Sequence, residues 1–282
     1  MKKLLVPTDF SEYADAATDV ACQLGRKANA EVMLLHVVEM PGGSSFNTTG
    51  QVAAGSGPTD NVYVAEMLRK SKEQMEALVN EDRFEGIQLK YHIVVGDPYH
   101  EIAKTTKENG IDLVVMGTKG ATGLEEFLVG SNTEKVVRQS AAPVLTLKNK
   151  VDLGKINSIA FATGLHIENE SLITHLKAFA DLTGAELHVV RVNTPNNFQS
   201  DRKTHAQMEA FVKKHGLESA KLHSYSDAIE EDGIIHFAQQ NSIDMIAMAT
   251  HGRTGFAHLL SGSIAEDVVN HAHRPVWTYN VH

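Results

Sequence analysis

The second half of this chain repeats its first, and that repeat most narrows the folds open to it. Ala30-Glu31-Val32 returns as Ala185-Glu186-Leu187, and Ile111-Asp112 as Ile243-Asp244. Within the first copy, apolar runs at 4–7, 32–38, 88–95, 113–116 and 144–147 alternate with stretches of helical periodicity at about 11–28, 62–81 and 98–109, and a last helix opens near Ser131. The strand runs do not alternate apolar with polar: Leu113-Val114-Val115-Met116 is apolar throughout. That pattern belongs to a strand buried on both faces of a parallel sheet, and strand-helix alternation covers such a sheet with helices. The expectation is an α/β chain with two tandem copies of an open parallel five-stranded sheet, helices on both faces. The domains fall at 1–148 and 155–282, joined by a short polar linker over 148–155.

The chain's 282 residues are long enough for two cores. A net charge of −9 without a Lys/Arg cluster argues against nucleic acid as a partner. The single cysteine, Cys22, excludes an intrachain disulfide and reads as a small buried residue, which favours a reducing compartment. The start, Met1-Lys2-Lys3-Leu4-Leu5-Val6-Pro7, runs directly into a strand with too short an apolar stretch for a signal peptide, and no run reaches membrane-spanning length. The expected location is cytoplasmic, away from any membrane.

Chemistry concentrates in the stretch from Ile111 to Leu147. Gly117 and Gly120 follow a buried strand, and Gly130-Ser131 stands where a helix begins. Glycine permits positive φ and close approach of a ligand to the backbone, while helix N-terminal amides and the helix dipole suit an anion. Ser131-x-x-Glu134 also reads as a capping box, in which the serine serves the helix amides.

The spacing Gly117-x2-Gly120-x9-Gly130-Ser131 resembles the ATP-binding signature of the universal stress protein family. Val6-Pro7-Thr8-Asp9-Phe10-Ser11-Glu12, Leu34-Leu35-His36-Val37 and Pro143-Val144-Leu145 extend the resemblance, which covers nearly the whole chain as two copies. It implies a Rossmann-like fold of the adenine nucleotide alpha-hydrolase type and an ATP site built from Pro7, Thr8, Asp9, Val37, Met116, Gly117, Gly120, Gly130, Ser131, Asn132 and Thr133. ADP, AMP and a cyclic nucleotide are the competing ligands, with Mg as a companion of the nucleotide. A carboxylate at Asp9 suits a ribose hydroxyl, Val37 offers an apolar face to a base, and amides after Gly130 suit phosphate. Asp9 with Glu12 equally reads as a helix N-cap, Val37 as core, and Lys119 as a solvated loop residue.

The second copy is degenerate. Its loop reads Ala249-Thr250-His251-Gly252, then Gly262-Ser263, so Gly252, Gly262 and Ser263 form a weak second anion site. Ala162-Thr163-Gly164 replaces Pro7-Thr8-Asp9 and removes the carboxylate. The resemblance also implies that the last strands, 144–147 and 276–279, pair to make an intramolecular pseudo-dimer. A homodimer of the whole chain and an unidentified protein partner are further expectations. The Gly/Ser/Thr-rich segment 41–60 reads as a mobile loop able to cover the nucleotide. The expected function is a stress-response regulator or adaptor that binds ATP in its first domain. A slow ATP-hydrolysing enzyme and a non-nucleotide adaptor are the alternatives. Neither Gly-x4-Gly-Lys-[Ser/Thr] nor Ser-Gly-Gly-x-Asp-Ser occurs, so binding without catalysis is favoured and no catalytic residue is assigned. Only His36, His92 and His100 of the 15 histidines precede residue 151; with no metal-ligand spacing among the others, they read as scattered surface groups and no metal site is expected.

Overall fold

The computed structural model describes residues 1–40, 58–118, 129–165, 169–251 and 264–281. In the first half the elements are β1 (Lys3–Pro7), α1 (Glu12–Ala28), β2 (Glu31–Val38), α2 (Pro58–Val79), β3 (Leu89–Val95), α3 (Pro98–Asn109), β4 (Leu113–Gly117), α4 (Ser131–Gln139) and β5 (Val144–Leu147). The second half follows with β6 (Ser158–Ala162), α5 (Glu170–Thr183), β7 (Glu186–Asn193), α6 (Asp201–His215), β8 (Lys221–Ser226), α7 (Glu230–Gln240), β9 (Met245–His251), α8 (Ile264–His271) and β10 (Val276–Val281). Most expected elements lie within a residue or two of these bounds. The exception is α2, which begins at Pro58, four residues before the expected start, because proline is well placed in a first helical turn. The expected lid over 41–60 lies outside the described residues up to 57.

The ten strands of the described residues join one sheet in the order β3-β2-β1-β4-β5-β10-β9-β6-β7-β8. Each half is parallel throughout, and the halves meet antiparallel at β5 and β10, where Val276 faces Thr146, Trp277 faces Leu145 and Thr278 faces Val144. The expected pairing of last strands therefore forms. It turns two sheet edges with unpaired backbone groups into one continuous ladder.

Successive strand residues feed two apolar layers. Leu4, Val6, Leu34 and Val115 face α1, α2, α5 and α6, which contribute Ala17, Met75, Leu176 and Met208. Leu5, Met33, Val114 and Val190 face α3, α4, α7 and α8, which contribute Ile102, Val136, Ile234 and Val268. Such two-sided burial is why the strand runs are apolar without alternation.

The repeated sequence fragments have structural work at the sheet's N-terminal edge. Asp112 Oδ2 accepts the Lys3 amide at 3.0 Å, and Asp244 Oδ2 accepts those of Asn157 and Ser158 at 2.9 and 3.0 Å. Glu31 pairs with Lys90 at 2.5 Å and Glu186 with Lys221 at 2.7 Å, each joining a second strand to its outer neighbour. The short polar linker is docked on the first domain. Leu153 is buried in a short 3-10 turn, its amide donating to Gln23 Oε1 at 2.9 Å, while Gln23 Nε2 donates to Val151 O at 3.3 Å. Two apolar residues in a polar run, Val151 and Leu153, pack against the core beside α1.

Candidate functional site

In each half the strand order reverses direction beside the first strand, so β1 and β4 diverge to opposite neighbours, as do β6 and β9. The crevice beyond the C-terminal ends of such strands is where open α/β sheets take ligands. Of the residues expected at a ligand site in the first half, the described ones lie at or near these strand ends.

Pro7 closes β1 opposite Leu35. Thr8 is buried, its amide donating to Leu35 O at 2.8 Å and its Oγ1 accepting from the Phe10 amide at 3.1 Å. That turn holds Phe10 at φ 63°, a left-handed conformation that costs a bulky residue energy. The second half builds the same turn, with the Leu165 amide on Thr163 Oγ1 at 3.0 Å and Leu165 at φ 65°. Asp9 is exposed and accepts the Ser11 amide at 3.0 Å. It is not the N-cap of α1. Ser11 is, accepting from the Ala14 amide at 3.3 Å.

Gly130 is the N-cap of α4, with φ −59° and ψ 140°, and no side chain of the described residues caps this helix. The capping box read in Ser131-x-x-Glu134 is thus not formed: Ser131 is the first helical residue, exposed, one position too late to cap. The helix start is instead tied to β4 by Gly130 N to Thr118 O at 2.8 Å and by Thr133 Oγ1 to Gly117 O at 3.0 Å. Asn132 is partly buried beside them. Among the described residues, a Cβ added at Gly130 would meet only Thr118 O, at 3.7 Å. Thr118 itself is 2% exposed, and its Oγ1 has no hydrogen-bond partner among the described residues. A buried hydroxyl left without a partner costs free energy, so this edge of β4 retains hydrogen-bonding capacity for a ligand.

Gly117 differs from its expected role. Its φ is not in the left-handed region, and an added Cβ would lie 2.7 Å from Tyr13 Cβ and 2.8 Å from the Tyr13 backbone C and O. It is a glycine so that α1 can close on β4. Met116 is buried in the layer under α3 and α4. Val37 is half-buried on that same face, with Val94, Tyr99 and Val129. Gly120 and Lys119, and in the second copy Gly252, Gly262 and Ser263, lie outside the described residues. Two neighbours stand in the motifs of the resemblance but were not expected at the site: His36, with Nδ1 2.8 Å from Thr8 O, and Phe10, whose ring is 4.5 Å from the His36 ring.

At the corresponding strand end of the second half, Val192 is 7% exposed. Helix α7 reaches it through Gly233, where an added Cβ would lie 2.4 Å from Val192 Cγ1. Polar side chains are bonded to one another nearby: Asn197 Nδ2 donates to Glu230 Oε1 at 2.7 Å, and Asn193 Nδ2 to Gln199 O at 2.9 Å. Gly233→Ala is expected to destabilise the protein by about 1–3 kcal/mol through overpacking. Adding Val192→Ala should recover part of that loss, read as a non-additive double-mutant cycle in urea unfolding.

The sequence pattern of the Universal stress protein family matches this chain twice, over residues 1–148 and 155–280. A universal stress protein of Methanocaldococcus jannaschii is 36% identical over 155 residues, covering 53% of this chain and 96% of that protein. One from Synechocystis is 22% identical over 299 residues, covering 99% of this chain and 100% of its own length. The crystal structure of a universal stress protein from Archaeoglobus fulgidus shares the fold across 99% of this chain and 98% of that one, with a TM-score of 0.73 and 22% identity. With both halves matched and the two-domain fold shared end to end, this chain belongs to the universal stress protein family, as two family domains in tandem.

Proposed function

We propose that the first domain binds ATP or a closely related adenine nucleotide, that the second domain does not bind it comparably, and that the chain acts as a stress-response regulator or adaptor. The observation that carries this reading is the start of α4. It is capped by a glycine whose added Cβ would meet only Thr118 O among the described residues, none of their side chains caps its first turn, and it is tied to the end of β4, which with β1, the strand that leads into the exposed Asp9, flanks the sheet's switch point. The amides of Ser131, Asn132 and Thr133 suit phosphate oxygens, Asp9 suits a ribose hydroxyl, and half-buried Val37 suits the flat apolar face of a base. The described residues fit the nucleotide that the family resemblance implies. Binding is proposed without catalysis and within the cytoplasm.

The asymmetry rests on the nucleoside end. Asp9 corresponds to Gly164, and half-buried Val37 to Val192 beneath α7. A hydrogen bond to a charged acceptor contributes about 1.5–3 kcal/mol, so Asp9→Ala is expected to weaken ATP about 10- to 150-fold. Calorimetric titration of the wild type should show one tight site. Two equal sites, or Asp9→Ala with unchanged affinity, would refute the assignment.

A further inference from the structure

The proposed phosphate seat is not held by its own domain alone. Val129, the residue before the Gly130 cap, donates its amide to Asn270 Oδ1 at 3.1 Å, and Asn270 belongs to α8 of the second domain. The Asn270 carbonyl in turn accepts from Lys148 Nζ, at the end of β5. One turn back on α8, Glu266 is 8% exposed and takes Arg138 of α4 in a two-pronged bond, Nε to Oε1 and Nη2 to Oε2, both at 2.6 Å. Arg138 Nη2 also donates to Glu134 Oε1 at 2.9 Å, and Thr250 Oγ1 donates to Val137 O at 3.3 Å. The first-domain strand β4 fixes the inner side of the α4 start, and the second domain fixes its outer side.

We infer that Asn270 is a positioning residue for the first domain's ligand site: α8 of the second domain completes the phosphate seat and sets its affinity. The inference rests on the nucleotide reading for what the seat holds, though not for the clamp itself. The repeat makes the arrangement one-directional. By the alignment of Ile111-Asp112 with Ile243-Asp244, Asn270 of α8 corresponds to Arg138 of α4. A guanidinium has no acceptor, so Arg138 cannot hold a backbone amide as Asn270 does. The degenerate domain thus serves as a built-in partner of the domain that binds. Linkage then requires the converse: a ligand favoured by the ordered seat must strengthen docking of the two domains.

The test compares Asn270→Leu, which removes the acceptor at similar volume, with Asn270→Asp, which keeps it. Thr146→Val is the control: it deletes the hydrogen bond from Thr146 Oγ1 to Val276 O, 3.2 Å, in the β5–β10 seam without touching the seat. In the protein without nucleotide, amide exchange over residues 129–133 should rise about 2- to 10-fold in Asn270→Leu, as expected for one lost hydrogen bond, return to wild type in Asn270→Asp, and stay unchanged in Thr146→Val. ATP titration should show about 2- to 10-fold weaker binding in Asn270→Leu alone. Unchanged exchange in Asn270→Leu, or equal effects in Asn270→Leu and Thr146→Val, would overturn the clamp. Wild type that fails to bind ATP defeats the nucleotide reading, and the exchange experiment still decides the clamp. Tight ATP binding unaffected by Asn270→Leu leaves the nucleotide reading intact and defeats this inference.

Discussion

Gly130→Val is expected to abolish measurable ATP binding while the protein remains folded. The backbone at Gly130, φ −59° and ψ 140°, lies in a region open to any L-residue, and among the described residues the nearest atom to an added Cβ is Thr118 O at 3.7 Å. The described residues therefore leave room for the side chain. Valine is a poorer N-cap than glycine, which costs roughly 1 kcal/mol and lowers the unfolding midpoint by about 2–4 °C for a chain of this size. The same isopropyl group occupies the space through which a phosphate would approach the Ser131, Asn132 and Thr133 amides. Large loss of binding with small loss of stability distinguishes a ligand-facing glycine from a packing glycine. Calorimetric titration and thermal unfolding of this variant supply both readings, and wild-type affinity in a folded Gly130→Val protein would remove the phosphate seat from α4.

The opposite pattern is expected at Gly117. A methyl group there meets the Tyr13 backbone carbonyl carbon and oxygen at 2.8 Å, far inside van der Waals contact. Tyr13 cannot yield by changing rotamer, because the contact is with its main chain. Helix α1 is held against the sheet by Ala17, Val20, Ala21 and Leu24, all buried. Gly117→Ala must push α1 away from β4 or bend β4, and overpacking of this kind costs about 1–3 kcal/mol or somewhat more. Chemical denaturation should show a lower midpoint with little change in slope. If Gly117→Ala leaves stability at the wild-type value and weakens ATP alone, then Gly117 faces ligand and the packing assignment is wrong.

These two glycines mark the limit of what local sequence reveals. In the sequence both stand in one spaced signature and invite one explanation. In the folded protein Gly117 faces helix α1, from residues more than a hundred positions earlier, whereas a Cβ at Gly130 would touch only Thr118 O among the described residues. Spacing is a property of the chain, whereas the occupant of the volume where a Cβ would be is a property of the packed structure. The caps show the same limit at shorter range. Helix α3 begins at Pro98, as its periodicity predicts, and the structure adds Asp97 as its cap, with Asp97 Oδ1 accepting the His100 amide at 2.9 Å. Asp9 and Ser131 looked like caps, but their helices begin one or two residues away, at Ser11 and Gly130. When several cap-forming residues stand together, tertiary docking of the helix chooses among them.

The sequence by itself determined the elements, their two-fold repetition and the class of sheet, because these follow from short-range periodicity and from burial of strands on both faces. It also held the loss of Asp9 in the second copy, since a missing carboxylate is visible without coordinates. Only the tertiary structure decided that the second copy's Val192 is covered by α7, that Leu153 docks the linker on α1, and that Asn270 holds the Val129 amide across 141 positions of chain. Those contacts join groups distant in sequence. Their geometry exists only after β5 and β10 have paired and brought α4 and α8 together, and no local pattern in either segment records it.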